Sequence, residues 1–299
     1  MKVKQKKSAL LPGLITVLMV VAAVAGGLRM TDRDGGRLDT MRQELETITA
    51  ENEGLTAQVE ALRTETAEQK ALPEAIQKQK DEGFRLLGEL ERQIRAGESD
   101  KRIAYLTFDD GPYDNTTDAI LDILKEKGVH ATFFLRHRPD HVAQIQREIR
   151  EGHTLANHSY SHKIKAVYQS ADSCIKEIRD QQKWLTETVG VTPEIYRFPG
   201  GSPTAGNKKQ AIAAALAADG LGYVDWNCYT GDGLPGVLTT EKAYQNAVSS
   251  VGEQKIVVML MHDYSAATLE ALPDIIDTLK AKGYMMMPLF RESVMIRSA

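Results

Sequence analysis

Two adjacent carboxylates follow a strand-like apolar run of the chain. Asp109 and Asp110 come directly after residues 103–108 and precede Gly111-Pro112, a pair typical of turns. Neighbouring side chains of an extended segment point to opposite sides, so one Asp can face a metal while the other accepts a proton from a reactant. The alternative is a plain turn with two solvated acids, and residues further along the chain decide between the two interpretations.

Two histidines at a spacing of four supply further ligand-type side chains. In the run His158-Ser159-Tyr160-Ser161-His162, one helical turn would aim both imidazoles at the same point. With one carboxylate they make three protein ligands, and three ligands plus a water are typical of catalytic rather than structural zinc. An isolated pair of histidines at this spacing is usually two ordinary surface residues. The Asp pair at 109–110 favours a metal site instead.

Short apolar runs alternate with helical segments from residue 102 onward. Strands are predicted over residues 103–108, 131–135, 154–156, 195–198, 222–226 and 256–261, with a last one at 284–287. Helices are predicted over residues 119–127, 142–151, 173–188, 208–219, 241–250 and 269–282. A repeated strand-then-helix unit indicates a parallel sheet covered by helices, either an open doubly wound sheet or a closed barrel.

The residues that could carry chemistry fall at successive strand ends. The Asp pair ends the first strand, His158 and His162 follow the third, Arg197 lies at the fourth, and His262 ends a late strand. The carboxyl ends of parallel strands meet at one face, where α/β barrels carry their active sites. The placement therefore predicts that these side chains form a single site.

Four separated motifs together resemble those of the NodB-homology polysaccharide deacetylases, also called carbohydrate esterase family 4. The motifs are Thr107–Pro112, His158–His162, Arg197–Pro199 and Leu260–His262. The resemblance covers residues 102–290 and implies a deformed, TIM-like (β/α) barrel, the NodB fold. It also implies an enzyme that removes acetyl groups from exported polysaccharides with a divalent metal, usually zinc.

The resemblance implies a role for each site residue, carried over position by position. The metal, Zn2+ or another divalent ion such as Co2+, would be held by Asp110, His158 and His162. Asp109 would be the general base, Arg197 would orient it, and His262 would be the general acid. These roles agree with metal chemistry, because bound zinc lowers the pKa of its water and a neighbouring carboxylate can take the proton.

Two stretches depart from the family's pattern. The chain has Pro199-Gly200-Gly201 where the family often places an aromatic residue after the proline. The family's fourth motif in chain order commonly reads Trp, two residues, Asp, two residues, Asp-Trp, and it corresponds here to Trp226–Gly233, between the Arg197 and His262 motifs. In this fourth motif, Tyr229 stands in place of the first Asp and Gly233 in place of the last Trp. We expect Asp232 to be the acidic partner of the general acid, with Asp225 as the second candidate.

The overall charge excludes nucleic acid as a partner, and the first 28 residues point to export. The 299 residues carry a formal net charge of -4, and the only concentrated positive charge is a lysine cluster within residues 2–7. The apolar run Ala9–Leu28 that follows is long enough to cross a bilayer, which predicts a single-pass membrane protein with its catalytic domain outside the cell. Cleavage after Ala23-Val24-Ala25 is the alternative, and it would make the protein secreted.

Between this segment and the predicted barrel, the pattern is helical. Apolar residues recur in steps of three and four from Leu38 to Leu62, with Asn52 at a core position, as in a parallel two-stranded coiled coil. This pattern predicts a homodimer, and a lone amphipathic helix is the alternative. A second helical stretch carries apolar residues from Phe84 to Ile94 on one face. The chain thus divides into a basic tail and membrane anchor (1–30), a coiled-coil stalk and linker (31–100) and a catalytic domain (101–299).

Together these features predict a membrane-anchored enzyme of the cell wall. The expected reaction is removal of N-acetyl groups from cell-wall polysaccharide, first of all from peptidoglycan N-acetylglucosamine, because a stalk holds the site within reach of a polymer. Chitooligosaccharides and acetylated xylan are alternative substrates. A non-enzymatic alternative is a degenerate envelope-binding module, which the changed fourth motif favours and the retained base, ligands and acid oppose.

Overall fold

The structure, a computed structural model, describes residues 42–44, 46–51, 53–54, 57–58, 82–291, 293 and 296–297. The chain forms two compact units, Met1–Gln77 and Lys78–Ala299. The described residues of the first unit are helical. The predicted membrane segment Ala9–Leu28 and most of the predicted heptad seam lie outside the described residues. Within the described ranges, no helix has both the length and the apolar character needed to span a bilayer.

The second unit alternates strands and helices, as the sequence predicts. Its strands are β1 (Arg102–Asp109), β2 (Thr132–Leu135), β3 (Thr154–Asn157), β4 (Ile195–Tyr196), β5 (Gly222–Tyr223), β6 (Cys228–Tyr229), β7 (Ile256–His262) and β8 (Tyr284–Met286). Its helices are α1 (82–96), α2 (Thr117–Glu126), α3 (Val142–Arg150), α4 (Ile164–Val167), α5 (Ala171–Val189), α6 (Lys209–Ala218), α7 (Thr240–Val251) and α8 (Ala266–Ala281). Among these, β6 and the single turn α4 are too short to leave a sequence pattern and were not predicted.

All eight strands belong to one sheet, and every strand pair in it is parallel. The order is β5-β4-β3-β2-β1-β7-β6, and β8 pairs with β1 beside this path. Strand β8 pairs with the first part of β1, at Arg102–Ala104, and β2 pairs with the last part, from Thr107. Since β5 and β6 do not pair in the part of the chain that the structure describes, the sheet is a curled half-barrel rather than a closed barrel.

The side chains of β1 alternate between the inside of the curled sheet and the layer of helices around it. Ile103 and Tyr105 point inward and share one buried cluster with residues from β2, β3, β4 and β7. Leu106 and Phe108, at the alternate positions of the strand, face outward and pack into a second cluster with the surrounding helices. Asp109 continues the inward row, so the strand itself places this carboxylate at the mouth of the barrel.

Helix α1 packs against the inner cluster of the barrel. Leu87 and Ile94 are buried there, and the ring of Phe84 stacks on Phe290 with centroids 5.0 Å apart. The buried carboxylate of Glu91 accepts a hydrogen bond from the hydroxyl group of Tyr105. The sequence places α1 in a stalk and linker, whereas the structure makes it part of the compact unit that begins at Lys78. An apolar stripe at helical spacing fits a coiled-coil seam and a packed face equally well.

The packing of α1 predicts unequal effects for two adjacent leucines. Leu87 is 7% exposed and Leu86 is 55% exposed. Leu87→Ala should therefore lower the free energy of unfolding by about 2–5 kcal/mol, because it leaves a cavity. Leu86→Ala should change it by less than about 0.5 kcal/mol. Urea unfolding of the two variants checks this, and equally small effects would show that α1 does not stabilise the barrel.

Candidate active site

The carboxyl ends of the strands bring the predicted site residues together. Asp109 ends β1, His158 follows β3, Arg197 follows β4, and His262 ends β7. The parallel register of β1 and β7 sets Asp109 directly beside His262. The two residues expected to move protons are therefore neighbours on adjacent central strands, and their separation is set by the sheet.

The guanidinium group of Arg197 fixes the orientation of Asp109. Arg197 is fully buried, and its Nη1 donates to Asp109 Oδ1 at 2.8 Å and to Thr107 Oγ1 at 2.7 Å. Its Nε and Nη2 donate to the backbone carbonyls of Val224 and Asp225 at 3.3 and 3.1 Å. These contacts occupy one oxygen of Asp109 and leave Oδ2, which lies 3.5 Å from His158 Nε2.

Asp110, His158 and His162 form a cluster whose ligand atoms all lie within 4.8 Å of one another. Asp110 Oδ1 is 3.4 Å from His162 Nε2 and 3.9 Å from His158 Nε2. Tetrahedral ligands at about 2.0–2.2 Å from one ion would be roughly 3.3–3.6 Å apart. The two separations that involve Asp110 are therefore at or near the spacing that one shared divalent ion would require.

The polar atoms of this cluster have the protonation that a metal site requires. Asp110 Oδ1 is buried and accepts no hydrogen bond from the described residues. His158 Nδ1 donates to the carbonyl oxygen of Arg197 at 2.9 Å, which leaves the lone pair of Nε2 facing the cluster. Burial, with the neighbouring His158, lowers the pKa of His162 to about 4. Burial disfavours ionised Asp110, but His158, His162 and Arg136 together hold its pKa below the usual value.

The backbone that carries these ligands differs from the helical turn that the spacing suggested. Residues 158–162 form an irregular loop after β3, so the helical-turn expectation was wrong. Ser159 and His162 have φ angles of 69° and 57°, and Asp110 has a φ of 77°. Non-glycine residues rarely adopt this left-handed conformation, and it persists where surrounding contacts over-determine it. Two of the three candidate ligands, Asp110 and His162, thus depend on a backbone held by tertiary contacts.

Side chains that the sequence did not single out hold the histidine loop. Asn157 accepts from the backbone N–H of Ser159 at 3.0 Å and donates from Nδ2 to the carbonyl of Ile178 at 2.9 Å. Glu177 of α5 accepts from both the backbone N–H and the hydroxyl of Ser161, at 2.6 and 2.9 Å. Ser159 Oγ accepts from the backbone N–H of His162 at 3.1 Å. The polar run after β3 was the only signal that could have pointed to this network.

His262 is paired with Asp232, the first of the two candidates from the sequence. Asp232 Oδ1 lies 2.7 Å from His262 Nδ1, and its Oδ2 accepts from the backbone N–H of His262 at 2.9 Å. Burial lowers the pKa of His262, but the hydrogen bond and charge of Asp232, with Asp109 and Asp110, outweigh it and raise the pKa above the usual value. The second candidate, Asp225, instead accepts from the backbone N–H and hydroxyl of Ser202 at 2.8 and 2.6 Å.

The glycine in the fourth motif has a steric reason. A Cβ atom at Gly233 would lie 2.7 Å from Cε1 of His262. A side chain at position 233 would therefore collide with the imidazole in its position beside Asp232. Glycine in place of the last Trp of the motif fits this position of His262.

Asp263, the residue after His262, supports the turn after β1. Its Oδ2 accepts from Thr117 Oγ1 at 2.7 Å, and its backbone N–H donates to the carbonyl of Asp109 at 3.3 Å. A Cβ at Gly111 would lie 2.0 Å from Asp263 Oδ2, so only glycine fits there. This buried carboxylate fixes the path of the chain immediately after Asp110, the carboxylate of the candidate metal cluster.

A carboxylate pair, two imidazoles and a His–Asp pair at the carboxyl ends of a curled parallel sheet make a hydrolase-type site suited to a divalent metal. Residues 96–221 match the polysaccharide deacetylase family. A peptidoglycan-N-acetylglucosamine deacetylase from Bacillus cereus is 30% identical over 203 residues, which span 65% of this chain and 71% of that protein.

Solved structures give the same result. The catalytic domain of a peptidoglycan N-acetylglucosamine deacetylase from Eubacterium rectale is 35% identical and superposes with a TM-score of 0.63, covering 66% of this chain and 93% of that one. A Streptococcus mutans CE4 esterase is 32% identical with a TM-score of 0.61, covering 68% of this chain and 91% of that one. The chain belongs to the polysaccharide deacetylase family, which confirms the resemblance drawn from its motifs.

The His262–Asp232 pair predicts a change that a titration can measure. In Asp232→Asn the negative charge beside Nδ1 is lost, so burial should dominate and the pKa of His262 should fall. NMR titration of the imidazole resonances in chelator-treated protein measures this shift. Asp219→Asn, whose carboxylate pairs with Arg179, is the matched control and should leave His262 unchanged. A His262 pKa that does not move in Asp232→Asn would show that the pair does not control the protonation of the imidazole.

Proposed function

We propose that this protein is a divalent-metal-dependent deacetylase that hydrolyses N-acetyl groups of cell-wall polysaccharide, with peptidoglycan N-acetylglucosamine as its substrate. The observation that carries the proposal is the convergence, at one end of the barrel, of Asp109, the Asp110–His158–His162 cluster and the His262–Asp232 pair. The similarity to deacetylases named for peptidoglycan N-acetylglucosamine supports this choice of substrate.

Asp110, His158 and His162 would hold the metal, with Zn2+ as the first expectation and another divalent ion such as Co2+ as the alternative. The donor set of one carboxylate and two imidazoles suits these ions and leaves room for a water and the acetyl oxygen. When bound, such an ion polarises the acetyl carbonyl and lowers the pKa of the attacking water.

Asp109 would take the proton of the attacking water. Its Oδ1 is held by Arg197, so the carboxylate cannot rotate, and its Oδ2 is directed to the side of the metal cluster. A base held in one orientation loses little entropy at the transition state. Arg197 acts as a positioning residue, because it is buried below the carboxylate and does not line the cleft.

His262 would protonate the nitrogen of the leaving amine as the C–N bond breaks. Asp232 accepts the proton of Nδ1, so Nε2 is left to carry the proton that is transferred. The raised pKa of His262 keeps the imidazole protonated at higher pH than an isolated histidine. Activity that requires this proton should decline on the alkaline side of that pKa.

The proposed location is outside the cytoplasm, and it rests on the sequence alone. The basic tail and the apolar run Ala9–Leu28 support a single-pass anchor, or a secreted protein if the run is cleaved. The heptad pattern of residues 38–62 supports a homodimeric stalk. Such an anchor would keep the site near a polymeric substrate.

The alternatives from the sequence differ in how well the site supports them. Chitooligosaccharides and acetylated xylan present the same type of acyl group, and a chitin deacetylase and a xylanase/deacetylase are among the relatives. The binding-module alternative depended on the changed fourth motif. That motif keeps Asp232 in hydrogen-bond contact with His262, which removes the main reason for the alternative.

The test uses the full chain loaded with zinc and Asp109→Asn as the variant. Peptidoglycan fragments and chitooligosaccharides are analysed by mass spectrometry for loss of acetyl groups. Asp109→Asn should reduce the rate by about 10²-fold or more, because the general base is lost, while the amide oxygen still accepts from Arg197. Metal content, measured by elemental analysis, should be unchanged because Asp109 is not a ligand.

Asp114→Asn is the control for the same chemical change at a side chain that is 80% exposed. It should keep full activity. Full turnover by Asp109→Asn would reject Asp109 as the base. Absence of acetyl loss from every substrate, with metal bound, would reject the deacetylase.

A further inference from the structure

A line of rings and one cation runs outward from His262 along the edge of the site. The ring of Tyr264 stacks on His262 with centroids 5.0 Å apart, and Tyr113 meets Tyr264 edge-on at 5.7 Å. The guanidinium group of Arg138 lies over the ring of Tyr113, with its Cζ 4.2 Å from the ring centroid. Tyr264 is 41% exposed, and Tyr113 and Arg138 are half-buried. We name these three residues the Tyr113 edge.

Arg138, the cation of the Tyr113 edge, has no acidic partner among the described residues. In the described part of the chain, no carboxylate lies within ion-pair distance of its guanidinium, and its buried Nε has no hydrogen-bond partner. The neighbouring Arg136 differs, since it contacts Asp110 Oδ1 at 3.3 Å. The nearby Asp114 contacts His141 at 3.3 Å. Arg138 is therefore a partly exposed guanidinium without an acidic partner, supported by an aromatic face beside the site.

The edge is continuous with the reacting centre. Three successive contacts place the Arg138 guanidinium no more than about 15 Å from the His262 ring. A polysaccharide whose reacting unit lies against His262 extends across neighbouring surface in both directions along its chain. The sugar units next to the reacting one are therefore within reach of Arg138.

We propose that Arg138, held by Tyr113, binds a carboxylate carried by a neighbouring sugar unit and makes this enzyme selective for acidic glycan strands. The inference rests on the proposed function. The matching substrate chemistry is an N-acetylated glycan with lactyl ether or peptide carboxylates on alternate units, as peptidoglycan has, rather than a neutral chitin-type chain. An Arg–carboxylate pair is planar and charge-assisted, which makes it suitable for this selection.

The experiment compares three substrates by acetate release from the full-length, zinc-loaded protein. They are glycan strands stripped of peptide, the same strands with their lactyl carboxylates converted to methyl esters, and chitotetraose. The KM of the wild-type enzyme for the carboxylate strands should be about tenfold lower than for the methyl ester strands, with similar kcat. Strands that keep their peptides are then compared with stripped strands, to tell lactyl from peptide carboxylates.

Arg138→Gln should remove this difference in KM and leave the rates on methyl ester strands and chitotetraose unchanged. Arg138→Lys, which keeps the charge without the planar group, should retain part of the difference. Arg179→Gln, a surface arginine that pairs with Asp219, is the matched control and should behave as wild type. Thermal melting of each variant establishes that it is folded.

Two results would overturn the proposal while leaving the deacetylase intact. One is equal wild-type KM for carboxylate and methyl ester strands, which needs no variant. The other is an equal loss of activity on all three substrates in Arg138→Gln, which would assign Arg138 a structural role. No acetate release from any substrate would instead reject the proposed function and this inference with it.

Discussion

The buried contact between Arg197 and Asp109 is the interaction on which the rest of the site depends. A fully buried guanidinium is tolerated only when its donors are paired, and here they reach a carboxylate, the hydroxyl of Thr107 and two backbone carbonyls. Its flat face lies 4.0 Å over the ring of Phe134, which excludes water from the pair. Removing one partner of such a pair costs about 3–5 kcal/mol, because the other charge stays buried. The chain must therefore fold with Asp109 in this one orientation.

The same arginine also sets the position of His158, a candidate metal ligand. The carbonyl oxygen of Arg197 accepts from His158 Nδ1 at 2.9 Å, which fixes the tautomer and directs Nε2 to Asp110. Arg197 thus fixes the positions of both the proposed base, Asp109, and one proposed ligand, His158. The register of the sheet sets His262 beside Asp109. Catalysis depends on distances of this kind, since errors near 1 Å can cost orders of magnitude in rate.

Apart from β6 and α4, the sequence predicted the order of strands and helices and the residues that meet at the strand ends, because periodicity and strand-end placement are local signals. It also selected Asp232 over Asp225, but not the steric role of Gly233, which only the close approach of His262 reveals. The backbone of the histidine loop was predicted wrongly, since Glu177, distant in sequence, holds Ser161 between the left-handed residues Ser159 and His162. The packing of α1 was missed for the same reason: tertiary contacts decide between two uses of one apolar stripe.

Whether Asp110, His158 and His162 hold the metal can be measured by diffraction at the zinc absorption edge, from crystals of the protein grown with zinc. We expect one strong anomalous peak about 2.0–2.2 Å from Asp110 Oδ1, His158 Nε2 and His162 Nε2, with Asp109 still bound to Arg197 and outside the coordination sphere. A peak ligated by Asp109 in place of Asp110, or no peak at this cluster under conditions in which zinc is bound elsewhere, would contradict this expectation.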